Sequence, residues 1–388
     1  MHEHRSGPGL MRHTALAIGL LAGCGFYPHE TSTDGPAGAD DALATADVSP
    51  PLLDAMLGAC ITVAELGVSL CPMTPAGPAL EISGDTSLKT DDGTTMPANP
   101  AIACAPMMPG STPAVCALFA TSIKIDLDVT LSSFGGKPLV LLATDSIDIE
   151  GTLDVASHLG GSAGAGSPHA ACSAGTNPKT AGGGQGGSYG TVGGSGGDAD
   201  GAPSSGGVAG TTLAIDMLAG GCPGANGDAG GTGGAGGGAT FLATPMLVVG
   251  DGGAIDASGA SGAGAPSGKH GGGGGGAGGL VAISVGTLYL VGNAQIFANG
   301  GHGGGGSSQA TAGSDGSDPT NAASGGGSGS GADTGGSGGA GADRNPAAAG
   351  MAATGGNDGG GGGGGGAGAL YIRPTVLTNT TNVSPPPI

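Results

Sequence analysis

A parallel β-helix of few turns, interrupted by long glycine-rich insertions and preceded by a small disulfide-rich N-terminal cap, is the fold the sequence predicts. Three observations predict it. Segments beginning at Leu139 (LVLLATDSIDIEGTLDVASHL), Ala239 (ATFLATPMLVVGDGGAIDASG) and Leu280 (LVAISVGTLYLVGNAQIFANG) align without gaps, and their apolar positions coincide. Ile147, Leu247 and Leu288 superpose, as do Ile149, Val249 and Leu290, then Val155, Ile255 and Ile296, with Leu142, Leu242 and Ile283 upstream. Within each unit the apolar residues recur every two positions, the period of a strand with one buried face. Glycine supplies the third observation: 93 of 388 residues are Gly, there is no Trp, and only nine residues are Phe or Tyr, so no conventional aromatic core can form.

Taken in order, residues 1–23 read as an export signal. MRHTALAIGLLAGC begins with the positive Arg12, runs through the apolar stretch Ala15 to Ala22, and ends on Leu21, Ala22, Gly23 and Cys24. The stretch is too short to span a bilayer. Met11 offers an alternative start. Residues 24–51 are acidic and rich in Pro, Gly, Ser and Thr, the composition of a disordered tether. Residues 52–121 carry Cys60, Cys71, Cys104 and Cys116 and read as the Cys-rich cap.

Residues 122–388 hold the repeats. SIKIDLDVTL from Ser122 reads as a lead-in turn, and LYIRPTVLT from Leu370 as a fourth, partial copy. Gly286, and Gly292 with Asn293, divide the third unit, so each repeat is expected to form three short strands with tight corners. Stacked turns would bury inward Leu, Ile and Val in ladders, each side chain contributing about 1.5–3 kcal/mol. The prolines of SPPPI cannot donate to a further strand and would close the far end.

Glycine runs occupy residues 159–238, 259–279 and 300–369, between the units. They read as insertions that leave at one corner and return at the next strand, either as flexible loops or as bundled polyproline-II-like helices. Strict Gly-X-Y spacing is absent, which excludes a collagen triple helix. Ordering glycine costs about 1–2 kcal/mol per residue with no side chain to bury in return.

With Cys24 set aside, six cysteines remain, and an even set in an exported chain predicts three disulfides. Fifteen connectivities are possible. Spacing favours Cys60 with Cys71, Cys104 with Cys116, and Cys172 with Cys222. There is no CxxC, which disfavours zinc.

The sequence LAGC ending at Cys24 resembles the lipobox of bacterial lipoproteins, which implies lipidation of Cys24 and cleavage before it. Gly25 follows, and a residue other than Asp there implies sorting to the outer membrane. Leader, acidic tether, Cys-rich segment and glycine-interrupted repeats together resemble the glycine-rich β-helix surface lipoproteins of Gram-negative bacteria, and more loosely the repeats of filamentous haemagglutinin-type adhesins. The resemblance implies a lipid-anchored, non-enzymatic protein of the outer membrane or cell surface with a structural or adhesive role. It supplies no catalytic residue.

Charge narrows the partners. The net charge is -20, and after residue 24 the basic residues are Lys89, Lys124, Lys137, Lys179, Lys269, Arg344 and Arg373, unclustered, which disfavours nucleic acid. The expected partners are the membrane, through Cys24, and an extracellular polysaccharide or surface protein. One alternative is a polysaccharide lyase or glycoside hydrolase, whose acid and base would come from Asp145, Asp148, Glu150 and Asp154. Those residues lack a neighbouring arginine or aromatic platform, so solvated strand carboxylates are the plainer expectation. Another alternative is a calcium-dependent surface module. GGSGGDAD from Gly193 and GGAGADRN from Gly338 partly match a calcium-binding nonapeptide, and Asp198, Asp200, Asp315, Asp318 and Asp343 are the candidate ligands. His158, His169, His270 and His302 follow strand units and read as loop histidines rather than ligands. No cofactor is expected. The GxGxxG matches lack the strand-to-helix context that gives that motif meaning.

Overall fold

The structure, a computed structural model, describes residues 60–173, 175–323, 327–355, 357–373 and 382–388. The leader, Cys24 and the tether lie outside the described residues. The described residues form fifteen strands: β1 Ile61–Val63, β2 Val68–Leu70, β3 Leu80–Ile82, β4 Thr86–Lys89, β5 Thr94–Met96, β6 Cys116–Ile125, β7 Thr130–Phe134, β8 Leu139–Ile149, β9 Thr152–Asp154, β10 Ala239–Val249, β11 Ala254–Asp256, β12 Leu280–Leu290, β13 Gln295–Phe297, β14 Ala369–Arg373 and β15 Val383–Ser384. A single 3-10 turn, Ala64–Leu66, is the helical content among the described residues.

These strands do not make the expected β-helix of three short strands per turn. They form a six-stranded sheet, β14-β12-β10-β8-β6-β3, a seven-stranded sheet, β15-β13-β11-β9-β7-β4-β5, and an antiparallel β1-β2 hairpin. Neighbours in the two large sheets run parallel, except β4 with β5. Each repeat therefore supplies one eleven-residue strand to the first sheet and one three-residue strand to the second. The reason lies at Gly286, read from sequence as a corner. β12 runs straight through it, because Val285 and Thr287 on either side stay paired with Thr244 and Met246 of β10. Glycine does not bend a strand whose neighbours hold its register.

Two apolar layers result. Leu141, Ile147 and Ile149 of β8, Leu242, Leu247 and Val249 of β10, and Leu153, Ile255 and Ile296 of the second sheet bury together between the sheets. On the other face of the six-stranded sheet, Val140, Leu142, Phe241 and Leu280 pack against Leu66, Val68 and Leu70 of the hairpin and against Tyr189 and Leu218. Leu139 to Ala143 are thus buried on both faces, which explains their uninterrupted apolar run.

The Cys-rich segment is not a separate cap. β3 pairs with β6 and β4 with β7, so residues 80–89 extend both sheets. Disulfides join Cys60 to Cys71, Cys104 to Cys116, and Cys172 to Cys222. At the other end β15 pairs with β13, and the prolines after Ser384 supply no N–H for further pairing.

The glycine segments are not loops leaving the strands. They form a second hydrogen-bonded body in which neighbours repeat every three residues, the repeat of a polyproline II helix. Gly272, Gly275 and Gly278 donate to Gly360, Gly363 and Gly366 at 2.9 Å, and Gly362, Gly365 and Gly368 donate to Gly304, Gly301 and Ala298 at 2.8 Å. The run Gly271–Gly279 has neighbours on three sides. A Cβ on Gly274 would lie 2.0 Å from the Gln185 carbonyl oxygen, one on Gly275 2.0 Å from that of Gly301, and one on Gly276 2.0 Å from that of Ala235. No side chain fits at any of these three positions. The run Gly359–Gly368 is enclosed in the same way: Gly363 faces Gly194, Gly364 faces Ala340 and Gly365 faces Gly276. Within them, Gly271–Gly276 and Gly359–Gly366 are the two longest unbroken glycine stretches of the sequence, and enclosure on three sides is why they are unbroken.

Candidate functional site

The carboxylates proposed from sequence as one acidic group divide between the sheets. Asp148 and Glu150 belong to β8 and the corner after it, and Lys124 bridges Glu150 at 3.0 Å and Asp126 at 3.1 Å. Partial burial, then the charge of Glu150, raise the Asp148 carboxyl above its ordinary range. Asp145 is exposed, at the point where β8 carries one more residue than its neighbours. Asp154 lies on β9 in the other sheet, in register with Asp256 of β11.

Asp154 is instead part of a cluster where the second sheet meets the glycine body. Its Oδ2 accepts from His158 Nε2 at 3.0 Å, and Asp318 lies 3.7 Å from the other ring nitrogen. These two carboxylates, Asp154 foremost, push the His158 pKa up to about 10, so the ring is a cation at neutral pH. Asp256 is buried beside Asp154. Burial first, and then the Asp154 charge, push its carboxyl up to about 7. Asp318 also accepts the backbone N–H of Leu159 at 2.8 Å and of Ser261 at 2.7 Å. The cluster joins β9, the 258–261 segment and the 315–318 segment, which makes it an ionic latch between the two bodies of the fold.

The candidate calcium ligands do the same work singly. Asp198 accepts from Ser204 at 3.0 Å and Gly206 at 2.9 Å, Asp200 from Asn357 at 3.2 Å, Asp315 from Gly264 at 2.7 Å and Asp343 from Asn345 at 2.6 Å. Each carboxylate closes a turn between glycine segments by taking backbone N–H groups. No group of three or more His, Cys, Asp or Glu side chains that could hold a metal ion occurs among the described residues.

The remaining histidines stand apart. His169 is buried, with its ring centroid 5.9 Å from that of Tyr189 and its Nδ1 accepting from Ala171 at 2.9 Å. His302 is also buried, 3.3 Å from Ser328 Oγ, and burial pushes its pKa down to about 4. The His270 backbone N–H donates to Ser307 Oγ at 2.9 Å. Neither His169 nor His302 fits the reading of an exposed loop histidine.

A cleft of about 520 Å³ lies beside the Cys172–Cys222 disulfide. Asn177, Gln185, Ser188, Asn226 and Asp228 contribute its polar lining. Its walls are fixed by Ala225 donating to the Gln185 carbonyl at 2.9 Å and by Asp228 donating to the Gly182 carbonyl at 3.0 Å. The one available sequence signal was Gln185 itself, the sole non-glycine residue from Gly182 to Gly187.

No protein-family model, curated protein or solved structure matches the chain.

Proposed function

We propose that the protein is a lipid-anchored, non-enzymatic surface protein with a structural or adhesive role, exported and held at the outer membrane or cell surface through Cys24. The observation that carries the reading is the glycine body. An array of backbones hydrogen-bonded in three directions is a rigid, side-chain-poor slab, suited to holding loop tips in fixed positions for contact with an extended ligand. The chemistry around it fits that role. The acidic residues hold turns and latch the two bodies together, and three disulfides suit an oxidising compartment. The -20 charge keeps a glycine-rich surface soluble. The expected ligand is an extracellular polysaccharide or another surface protein.

The test is to incubate the oxidised full chain, in detergent, with cellulose, chitin, pectin and alginate, measuring retention and release of reducing ends in the same samples. The reading expects retention without release on at least one polymer. Release of reducing ends would overturn it. Labelled palmitate, followed in an expressing Gram-negative host, should enter the wild type and not Cys24→Ser, and incorporation into both would remove the anchor from the account.

A further inference from the structure

We infer that the cleft beside Cys172–Cys222 is a docking groove for a polyproline II peptide segment with glycine at every third residue, presented by another surface protein. The inference rests on the adhesive reading and gives its protein partner a chemistry.

The phase of the backbone hydrogen bonds carries it. In the enclosed run Gly271–Gly279, the N–H groups leave in three directions, one for each residue of the repeat. Gly272, Gly275 and Gly278 donate to Gly360, Gly363 and Gly366; Gly273, Gly276 and Gly279 donate to Ala263, Ala260 and Ala257; Gly271, Gly274 and Ala277 donate to Asp228, Ala225 and Cys222. The segment from Cys222 to Asp228 belongs to the same array but uses two of the three directions. Gly224 and Gly227 donate to Gly234 and Gly231, and Ala225 and Asp228 donate to Gln185 and Gly182. The third phase falls on Pro223 and Asn226. Both are exposed and line the cleft. Proline has no N–H, and the Asn226 N–H meets no acceptor among the described residues. The cleft therefore lies where the next segment of the array would pack.

The same contacts set what can pack there. A Cβ on Gly224 would lie 2.3 Å from the Gly274 carbonyl oxygen, and one on Gly227 2.0 Å from that of Gly271, so segments at this spacing admit no side chain between them. A chain seated at that spacing against Asn226 must carry glycine at every third residue, and must hold the three-residue period of polyproline II to stay in register. One of its carbonyl oxygens would accept the Asn226 N–H. Across the groove stands a second wall, with Ser173, Gly175, Asn177 and Pro178 in the lining. The Cys172–Cys222 disulfide and a bond from the Thr176 N–H to the Val208 carbonyl at 3.0 Å hold that wall in place. Cys222 to Asp228 makes six steps of about 3.1 Å, so the groove wall is about 19 Å long and seats a short segment. No aromatic ring lines the cleft, so recognition is backbone to backbone rather than the stacking of proline rings on aromatic side chains. Asp228 is the charged residue of the lining, which disfavours an acidic peptide. The glycine runs of a second copy of this chain are enclosed in that copy's own body, so the segment comes from a different protein.

The test is fluorescence anisotropy of the oxidised full chain, in detergent, with labelled nonapeptides built from Gly-Pro-Pro, Ala-Pro-Pro or Gly-Ser-Ser units, and with labelled cellotetraose. The Gly-Pro-Pro peptide should bind at least about tenfold more tightly than the other three probes. Ala-Pro-Pro keeps the conformation but adds a methyl to the inner face, and Gly-Ser-Ser keeps the glycines but is flexible. Asn226→Ala and Asn226→Pro both lose the side-chain bond to Gly233, and only the second loses the backbone N–H. Asn226→Pro should therefore bind the Gly-Pro-Pro peptide about tenfold more weakly than Asn226→Ala, at equal melting temperature. Hydrogen exchange on the wild type needs no variant: amides of residues 222–229 should exchange more slowly when the Gly-Pro-Pro peptide is present. Equal binding of the three peptides, preference for cellotetraose, equal binding by the two folded variants, or exchange at 222–229 unchanged by the peptide would overturn the assignment. Self-association of the chain that the peptide reverses would put a second copy in the groove and would overturn it too. Polymer retention separates the two levels of the account. If the peptide does not bind and a polysaccharide still retains the chain, the groove falls and the adhesive reading survives. If neither binds, both fall.

Discussion

The stacked sheets and the glycine body are two cores made by opposite means. Between the sheets, Leu, Ile and Val fill the space, and order comes from apolar side chains removed from water. In the glycine body there are almost no side chains to bury, and order comes from bringing backbones so close that a methyl group would overlap a carbonyl oxygen. The first core tolerates a change of shape and resists a charge. The second should resist any side chain at all, including the smallest. Glycine, which weakens helices and strands by its conformational freedom, is here the residue that permits the structure.

The largest expected effects test that contrast directly. Gly275→Ala, at the enclosed centre, should prevent folding or lower the melting temperature drastically, because its Cβ would lie 2.0 Å from the Gly301 carbonyl oxygen. Gly355→Ala, where a Cβ meets nothing within 4 Å, should be close to silent. In the sheets, Ile149→Asp should unfold the domain by placing an unpaired charge between them, whereas Asp148→Ser, half-buried on the other face, should change little. Similar melting temperatures within either pair, followed by circular dichroism, would contradict the corresponding core.

Next in size is the disulfide that ties the cleft. Cys172–Cys222 spans 50 residues and Cys60–Cys71 spans 11. On the chain-entropy model, replacing both cysteines by serine should cost about 4 kcal/mol for the first and about 3 kcal/mol for the second. Denaturant titration would measure the order, and a larger loss at Cys60–Cys71 would mean that the glycine segments are ordered without their staple.

A smaller effect belongs to the latch between the two bodies. Asp256, with its folded pKa raised to about 7 above that of the unfolded chain, favours folding while it is protonated, and that contribution is lost as pH rises through 7. Asp256→Asn should raise the melting temperature at pH 8 and leave it nearly unchanged at pH 4. His158 works over a different window: its folded pKa is raised to about 10, so its contribution is complete below about pH 6.5 and disappears as pH rises through 10. A melting profile of the variant parallel to that of the wild type would place Asp256 outside the electrostatics of the latch.

Much of the strand register was legible in the sequence. Ile147, Leu247 and Leu288 are partners, as are Ile149, Val249 and Leu290. The gapless alignment fails on either side of them for two local reasons. β8 carries one extra residue between Leu142 and Ser146, so Leu141, not Leu142, sits opposite Leu242. The corner after β8 is two residues shorter than the corner after β10, so Leu153, not Val155, sits opposite Ile255. The fold class was misread because Gly286 and Gly292 looked alike as corners. Gly292 has a φ of 56°, which a turn requires, whereas Gly286 lies inside a paired strand. The glycine body was legible only as one of two alternatives, polyproline-II-like bundles or flexible loops, for a different reason. A three-residue pattern shows only where one position of the three differs, as Thr232 and Ala235 do in GGTGGAGGG, and it vanishes in Gly271–Gly276 and Gly359–Gly366, where every position is Gly. Of the candidate site, the roles of the aspartates and the buried state of His169 and His302 depend on contacts distant in sequence, which no local pattern reports.

Amide hydrogen exchange is the most direct measurement of the central claim. Gly272, Gly275, Gly278 and Gly363 donate to backbone carbonyls inside the glycine body. Their amides should be protected as strongly as those of Leu141 and Leu247, exchanging over hours or longer. Exchange of the 271–279 and 359–368 peptides within seconds, while the strands stay protected, would show that the glycine segments are not a core and would contradict the account.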